Sequence, residues 1–596
     1  MKKIIYYSVL ITIMVFASCN DDFLDRKPLD KLSEEAVFES QSLMEQYVNA
    51  LYDVVPHPYT GAPFAACTDE AFYMYGGTST NYILRGEMTP DNIIYSRDGG
   101  TAHNSRITFL SLWPRVFSYV RNMNFFLSRV DDAPISEEVK KQLKGEVYFL
   151  RGWTYSHLLA RYGGVPIIEK VFQLGEEYDL ARDNYDDCVD FVISDLDKAI
   201  ELLDDKPAVQ GRVGADVCKA VKARTYLYAA SPLFNDPTDP TGNVFKGAYD
   251  KEKWKLARDA AKELIDRANA GAYAIAATYD DYWTNTNSVE VIWARYFLPS
   301  SGQLAQLHYS PAGGIGGWNA FTPVENIVCD YEMAATGKKP FEEGSGYDPA
   351  DPWGGRDPRF YKSIIYPEMN YRDYDFQICS PAPGNTVIKN NDRFYSLSNQ
   401  CTGYWGRKWL IDDEPVSETT NYSRMYPWFR LAEIYLIYAE ASLEYNGDVV
   451  TCAEYINKIR DRADVMMPHV SSSLSVEEMR EKLIQERRIE FAFENQRYFD
   501  LRRWKLAEIY ENIMVYGISG IRHDDNTITW GIAKAGPNGE PDYHPSTTAG
   551  EGCRALLAHK DFYKKHYLVP IPRNEYIKSE GVIVQNPYYD DQPDLK

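Results

Sequence analysis

The chain has 596 residues, long enough for several domains, yet no Ser/Gly-rich or Pro-rich linker separates two folded halves. Its 86 acidic residues against 64 basic ones give a formal net charge of −22, and no Lys/Arg block interrupts that balance; such a chain repels a phosphate backbone and is excluded as a nucleic-acid binder. Nine cysteines form no CxxC and pair with no His at zinc spacing, so neither a zinc site nor any other metal or cofactor is expected.

In chain order, Lys2 and Lys3 form a positive n-region, and Ile4 to Phe16 an apolar h-region too short to span a bilayer comfortably. Val15-Phe16-Ala17-Ser18-Cys19 resembles the lipobox of bacterial lipoproteins, with Phe16 where Leu is usual. The resemblance implies that residues 1–18 are removed as a signal peptide and that Cys19 carries the lipid. That cut loses two lysines and no acid, taking the charge from −22 to −24. Asp21 and Asp22 resemble the acidic export tags that carry such proteins to the outer face of the outer membrane. Residues 19–32 are therefore expected to be an acidic tether, and 33–596 a single domain. Of the eight remaining cysteines, Cys379 and Cys401 are the pair to test first for a disulfide.

Helical periodicity then recurs. Ser33, with Glu34 and Glu35 behind it, suits an N-cap, and so does Ser136 before Glu137 and Glu138. The second of these helices includes "GEVYFLRGWTYSHLLARYGGVP", apolar on nearly every face, which predicts a buried helix ended by Gly163-Gly164 and Pro166. Val189, Val192, Ile193, Leu196 and Ile200 give the next segment one apolar stripe. Ala220, Ala223 and Ala230 permit close helix approach in the one after. "DKEKWKLARDAAKELIDRANAG", "RLAEIYLIYAEASLEYNG", "TCAEYINKIRDRA" and a final stretch, "SVEEMREKLIQERRIEFAFENQRYFDLRRWK", expected as one long helix or two, continue the series. The expected fold is mainly α, a tetratricopeptide-like scaffold of helix pairs. Long irregular excursions interrupt it at Asp69 to Arg106, Asp280 to Tyr426 and Tyr516 to Lys560. Loops of that length are uncommon unless they serve a function, and these carry many of the 46 Tyr and 12 Trp.

The motifs also come in a familiar order: the lipobox, "LRGWTYSHLLARYGGVPII", "ARTYLYAASPLFND", "IYLIYAEASLEYNGD", "INKIRDRA", "IQERRIEFAFENQRYFDLRRW", "YLVPIPRNEY" and "QNPYY". Together they resemble the SusD/RagB family of outer-membrane nutrient-binding lipoproteins over nearly the whole chain. The resemblance implies four tetratricopeptide-like helix pairs, no catalytic activity, a lipid-anchored position at the cell surface, and a partner, a SusC-like TonB-dependent barrel over which the lipoprotein sits as a lid. It implies a glycan ligand, with peptide as the RagB-like alternative. A secreted glycoside hydrolase is the competing reading from another class.

Two loop regions combine rings for a sugar's apolar face with groups for its hydroxyls. One offers Asp69, Tyr82, Arg85 and Tyr95; the other Trp283, Tyr296, Trp318 and Asn319. Trp318 leads, because flanking glycines leave its ring little local cover, whereas Trp293, in an apolar run, reads as core. Glu486, Glu490 and Glu494, spaced i, i+4, i+8, are expected to share one helix face. A hydrolase would use two such carboxylates as acid and base across a bond; among Arg487, Arg488 and Arg497 they read instead as an ion-pair network. No GxSxG, HExxH, Walker-type or EF-hand motif occurs, and "GGIGGWN" lacks the third glycine of a phosphate-cradling loop.

Overall fold

The computed structural model describes residues 37–589 except 57–63, 74–78, 93–111, 174, 177–180, 208, 237–247, 298–316, 318–319, 377–379, 382–401, 414–423 and 558. The lipobox, the tether, Ser33 and the Cys379–Cys401 pair lie outside the described residues. The fold is mainly helical, 44% helix against 10% strand. Among the described residues no helix is long and apolar enough to cross a membrane.

The helices that build the scaffold are α1 (Gln41–Leu51), α2 (Trp113–Leu127), α3 (Glu137–Tyr162), α4 (Tyr185–Leu202), α5 (Ala215–Ala230), α6 (Glu252–Asn269), α7 (Leu431–Asn446), α8 (Val449–Arg460), α9 (Val476–Glu490) and α10 (Arg497–Arg503). Neighbours in sequence pack in pairs, α3 on α4, α5 on α6 and α7 on α8, and the pairs stack, with α7 against α6. The excursion between α6 and α7 therefore leaves the helical stack and returns to it. Ser136 caps α3 as expected, its hydroxyl accepting from the Val139 N–H (3.4 Å). Leu150, Trp153, Tyr155, Leu158 and Tyr162 are all buried. Gly163 ends the helix at φ +75°, and a Cβ on Gly164 would stand 2.1 Å from the Asp183 carbonyl oxygen, so only glycine fits there.

Inside the excursions the sheets are small. β1 (Ala71–Tyr73) pairs antiparallel with β3 (Phe321–Pro323), and β2 (Val291–Phe297) with β4 (Arg424–Arg430). β5 (Ser519–Arg522) and β6 (Ile528–Gly531) form a hairpin near the C-terminus. Trp293 is core, as expected: it is 4% exposed and meets Trp153 edge-on at 5.1 Å.

The long final stretch does not run as one helix. It breaks after Glu490, where Phe493 and Asn495 both take φ +64°, and resumes as α10. The break has non-local causes, since Asn495 Oδ1 accepts the Ala65 N–H (3.2 Å) and its amide donates to the Tyr426 hydroxyl (3.0 Å). Glu494 consequently lies in a turn and not on the helix face of Glu486 and Glu490.

Glu70 is fully buried beside this turn. One carboxyl oxygen accepts the Phe493 N–H (3.4 Å) and the other has no hydrogen-bond partner among the described residues. Burial pushes the carboxyl up to about 8 against the pull of Arg488. A raised folded-state pKa stabilises the fold fully below the ordinary carboxylate value and progressively less as pH rises toward about 8. Glu70→Gln should therefore flatten the decline in urea-unfolding free energy between about pH 5 and about pH 8. An unchanged slope would contradict the assignment of that proton to Glu70.

Candidate functional site

Asp69 and Trp283, both expected to face a ligand, belong to the interior. Asp69 is 3% exposed; its carboxylate accepts from Arg497 Nε and Nη2 (3.1 Å each) and pairs with Arg488 Nη1 (2.8 Å). Trp283 is 5% exposed, donates its indole N–H to the Leu410 carbonyl (3.2 Å) and meets Tyr282 edge-on at 4.9 Å. Their partners are supplied by segments remote in sequence. Tyr296 is half-buried on β2; its hydroxyl donates to the Thr286 carbonyl (3.3 Å) and its ring lies over Gly211. Tyr82 and Arg85 are half-buried in the short helix Ser79–Leu84 and the turn after it. Tyr95, Trp318 and Asn319 lie outside the described residues.

The carboxylates of the last helices form a closed ion-pair network. Glu490 accepts from Arg430 Nη1 (2.6 Å), Arg462 Nη2 (2.8 Å) and Arg359 Nη1 (2.9 Å). Glu486 takes Arg359 and Arg460 (2.6 and 2.7 Å), and Glu494 takes Arg430 and Lys408 (2.8 Å each). Burial alone would raise the Glu490 carboxyl; the guanidiniums of Arg462, Arg430 and Arg359 outweigh it and hold the group well below the usual carboxylate range. Every oxygen in the Glu490 carboxylate is bonded, and the group has no exposed face from which to reach a substrate. The network locks Glu486, Glu490 and Glu494 at the last helices to Arg359, Lys408, Arg430, Arg460 and Arg462 on the rest of the scaffold, as the sequence pattern suggests.

An open aromatic cleft with the geometry of a ligand site lies elsewhere, between the loop 340–350 and β6. This open cleft holds about 530 Å³. On one wall Phe341 and Tyr347 meet edge-on at 5.2 Å. Ser345 braces that loop, its hydroxyl donating to the Pro340 carbonyl (2.6 Å) and accepting the Tyr347 N–H (3.2 Å). The other wall is Trp530. It stands opposite Gly520 in the hairpin register, so no partner side chain covers it from β5. Trp353 supports its edge at 4.8 Å, and Trp353 is fixed in turn by the Tyr404 hydroxyl (3.2 Å), which donates to Glu325 (2.5 Å). Glu325 also accepts the Ala533 N–H (3.0 Å), tying the strand end to the same anchor.

Three donors around this cleft have no hydrogen-bond or ion-pair partner among the described residues: the Trp530 indole N–H, the Tyr347 hydroxyl and the Lys534 ammonium. Rigid rings with uncommitted donors suit a ligand with alternating apolar faces and oxygen acceptors. Neither wall was named from the sequence, although both lie in the long excursions. The available signal was "NTITWGIAKAG", alternating residues after an Asp-Asp-Asn turn.

Among the described residues no group of His, Cys, Asp and Glu could hold a metal ion. The stacked-helix scaffold thus carries an aromatic cleft on its excursions. Two family models match the chain: one described as "SusD family" over residues 270–589, and one described as "Starch-binding associating with outer membrane" over residues 22–227. The first spans more than half of the sequence, and the chain belongs to the SusD family. It is similar to SusD-like protein P2 of Formosa agariphila, 22% identical over 98% of this chain and 99% of that one. Among solved structures it resembles a SusD-like protein of Bacteroides fragilis (TM-score 0.72, 24% identity, 95% of this chain and 100% of that one) and a laminarin-binding SusD-like protein (TM-score 0.59, 17% identity, 92% and 100%).

Proposed function

We propose that the protein is a cell-surface lipoprotein that captures oligo- or polysaccharide without cleaving it and delivers it to a SusC-like TonB-dependent transporter. The observation that carries the reading is the cleft of Trp530, Tyr347 and Phe341 on a SusD-family scaffold: a platform for a sugar's C–H face beside donors for its hydroxyls. The laminarin-binding relative supports the ligand class. Trp318, Tyr296 and Tyr82 belong to the same proposal as a loop-borne part of the binding surface. Titration of the purified protein on a glycan array and against peptide pools tests it. Glycan binding without release of reducing sugar is the expected result; binding confined to peptides, or sugar release, overturns it. Co-purification with a TonB-dependent barrel tests the delivery step.

The anchor is proposed to be the lipid on Cys19. Several acyl chains at about 0.8 kcal/mol per buried CH₂ hold a protein stably at a bilayer. Cys19→Ser should abolish labelling by a fatty-acid analogue and move the protein from the membrane fraction to the soluble one. Labelling that persists in the variant would rule out Cys19 as the acceptor.

A further inference from the structure

The two walls of the aromatic cleft share a base that the cleft does not expose. It is the short buried helix Glu325–Val328. β3 leads directly into it, and the Val324 N–H donates to the Glu70 carbonyl (3.1 Å). Asn326 fastens it further: its amide donates to the Met514 carbonyl (3.0 Å) and its oxygen accepts the Tyr516 N–H (3.0 Å).

At the last residue of this helix, Arg356 Nη1 donates to the Val328 carbonyl (3.0 Å). The same guanidinium lies over the Tyr347 ring at 5.3 Å and holds the Pro352 carbonyl through Nη2 (2.8 Å). At the first residue, the Glu325 carboxylate serves the Trp530 wall through both oxygens. Oε1 accepts the Ala533 N–H (3.0 Å), two residues past the end of β6. Oε2 accepts from the Tyr404 hydroxyl (2.5 Å), whose oxygen accepts the Trp353 indole N–H (3.2 Å), and Trp353 meets Trp530 edge-on at 4.8 Å.

The direction of these bonds restricts the chemistry at position 325. An indole N–H only donates, so the single hydroxyl proton of Tyr404 goes to Glu325. The Ala533 N–H is a second obligatory donor. Two donors therefore converge on one side chain. A carboxylate meets both, because each of its oxygens accepts; a glutamine amide accepts at one end only. Burial raises the Glu325 carboxyl, while the bonds from Tyr404 and Ala533 and the charge of Arg356 favour the ionised form that offers two acceptors. Glu325 is 3% exposed and does not line the cleft.

We infer that Glu325 is a positioning residue of the binding cleft: without touching the ligand, it sets Trp530 against the Tyr347 wall by fixing the ring that supports Trp530 and the strand end beside it to a helix that both walls share. The inference rests on the cleft being the glycan site proposed above, so the test includes readouts that need no ligand.

Three quantities are measured on the full-length protein: affinity for laminarin by calorimetry, hydrogen exchange at the Ala533 amide, and acrylamide quenching of Trp530, taken as the difference between each protein and its Trp530→Phe counterpart. Glu325→Ala should weaken binding at least about tenfold, speed exchange at Ala533 and open Trp530 to the quencher. Glu325→Gln, which keeps one acceptor, should weaken binding about threefold to tenfold. Tyr404→Phe cuts only the branch to Trp353, so quenching should rise while the Ala533 amide stays protected. A residue that served stability alone would not divide the two branches in this way. If Glu325→Ala does not fold, as judged by circular dichroism, Glu325→Gln and Tyr404→Phe decide. If the wild-type protein does not bind laminarin, exchange and quenching decide alone. Wild-type exchange and quenching in the folded Glu325 variants overturn the inference, and so does wild-type affinity in them where Trp530→Ala weakens binding. Unaltered affinity in Trp530→Ala overturns the glycan reading of the cleft instead, and Glu325 is then judged by exchange and quenching.

Discussion

Glu490→Ala should cost the folded state about 3–5 kcal/mol, the penalty of leaving buried charge without its partner. Three guanidiniums, Arg359, Arg430 and Arg462, converge on this one carboxylate, and all three are buried. Arg430 and Arg462 also share Glu290, and Arg359 shares Asp357 and Glu486, so one deletion leaves excess positive charge in the whole cluster. Denaturant unfolding measures the loss. Wild-type stability together with lost ligand binding would mean that the cluster serves a ligand and not the fold. The same network predicts acid sensitivity. Its carboxyls have lowered folded-state pKa values, so their stabilisation is complete above the unfolded carboxylate pKa, about 4.3, and is lost as pH falls through the folded values. Glu490→Ala should flatten that acid limb while lowering the plateau.

Local chemistry made much of the scaffold legible in the sequence. Ser136, Glu137 and Glu138 start α3 and Gly163 stops it, and no remote residue is needed to read either signal. Two helices in the final stretch were one of the expected outcomes, but the place of the break between α9 and α10 was not legible in the same way. "FAFENQ" is compatible with a helix, and what fixes Asn495 out of one is bonding to Ala65 and Tyr426, far away in the chain. The two misplaced site residues fail for that same reason. Trp283 sits among polar neighbours in sequence and looks exposed, but Leu410 and Trp409 cover it. Asp69 looks like a loop acid for a sugar hydroxyl until Arg488 and Arg497 are brought to it. Burial of a loop residue is a property of its remote partners, which periodicity does not encode. Trp530 is the converse: its exposure follows from Gly520 opposite it, a pairing set by the hairpin register.

Trp530→Ala should weaken glycan binding about thirty-fold, because an aromatic hot spot contributes at least about 2 kcal/mol. The fold should persist. Trp530 is only half-buried, and Trp353, against which it rests, keeps its own bond to Tyr404. Tyr347→Phe isolates the polar part. It keeps the ring against Phe341 and removes one uncommitted hydroxyl, so its cost should be about 0.5–1.5 kcal/mol, or twofold to about tenfold in affinity. Lys534→Met adds a test of charge, since it should weaken acidic oligosaccharides more than neutral ones. Calorimetric titration with the glycan selected on the array reads all three variants. Trp318→Ala, Tyr296→Ala and Tyr82→Ala belong in the same series, because losses there would extend the binding surface onto the loops around β1, β2 and β3. Full affinity in Trp530→Ala with a large loss in Trp318→Ala would move the site to those loops and leave the cleft at β6 without a ligand.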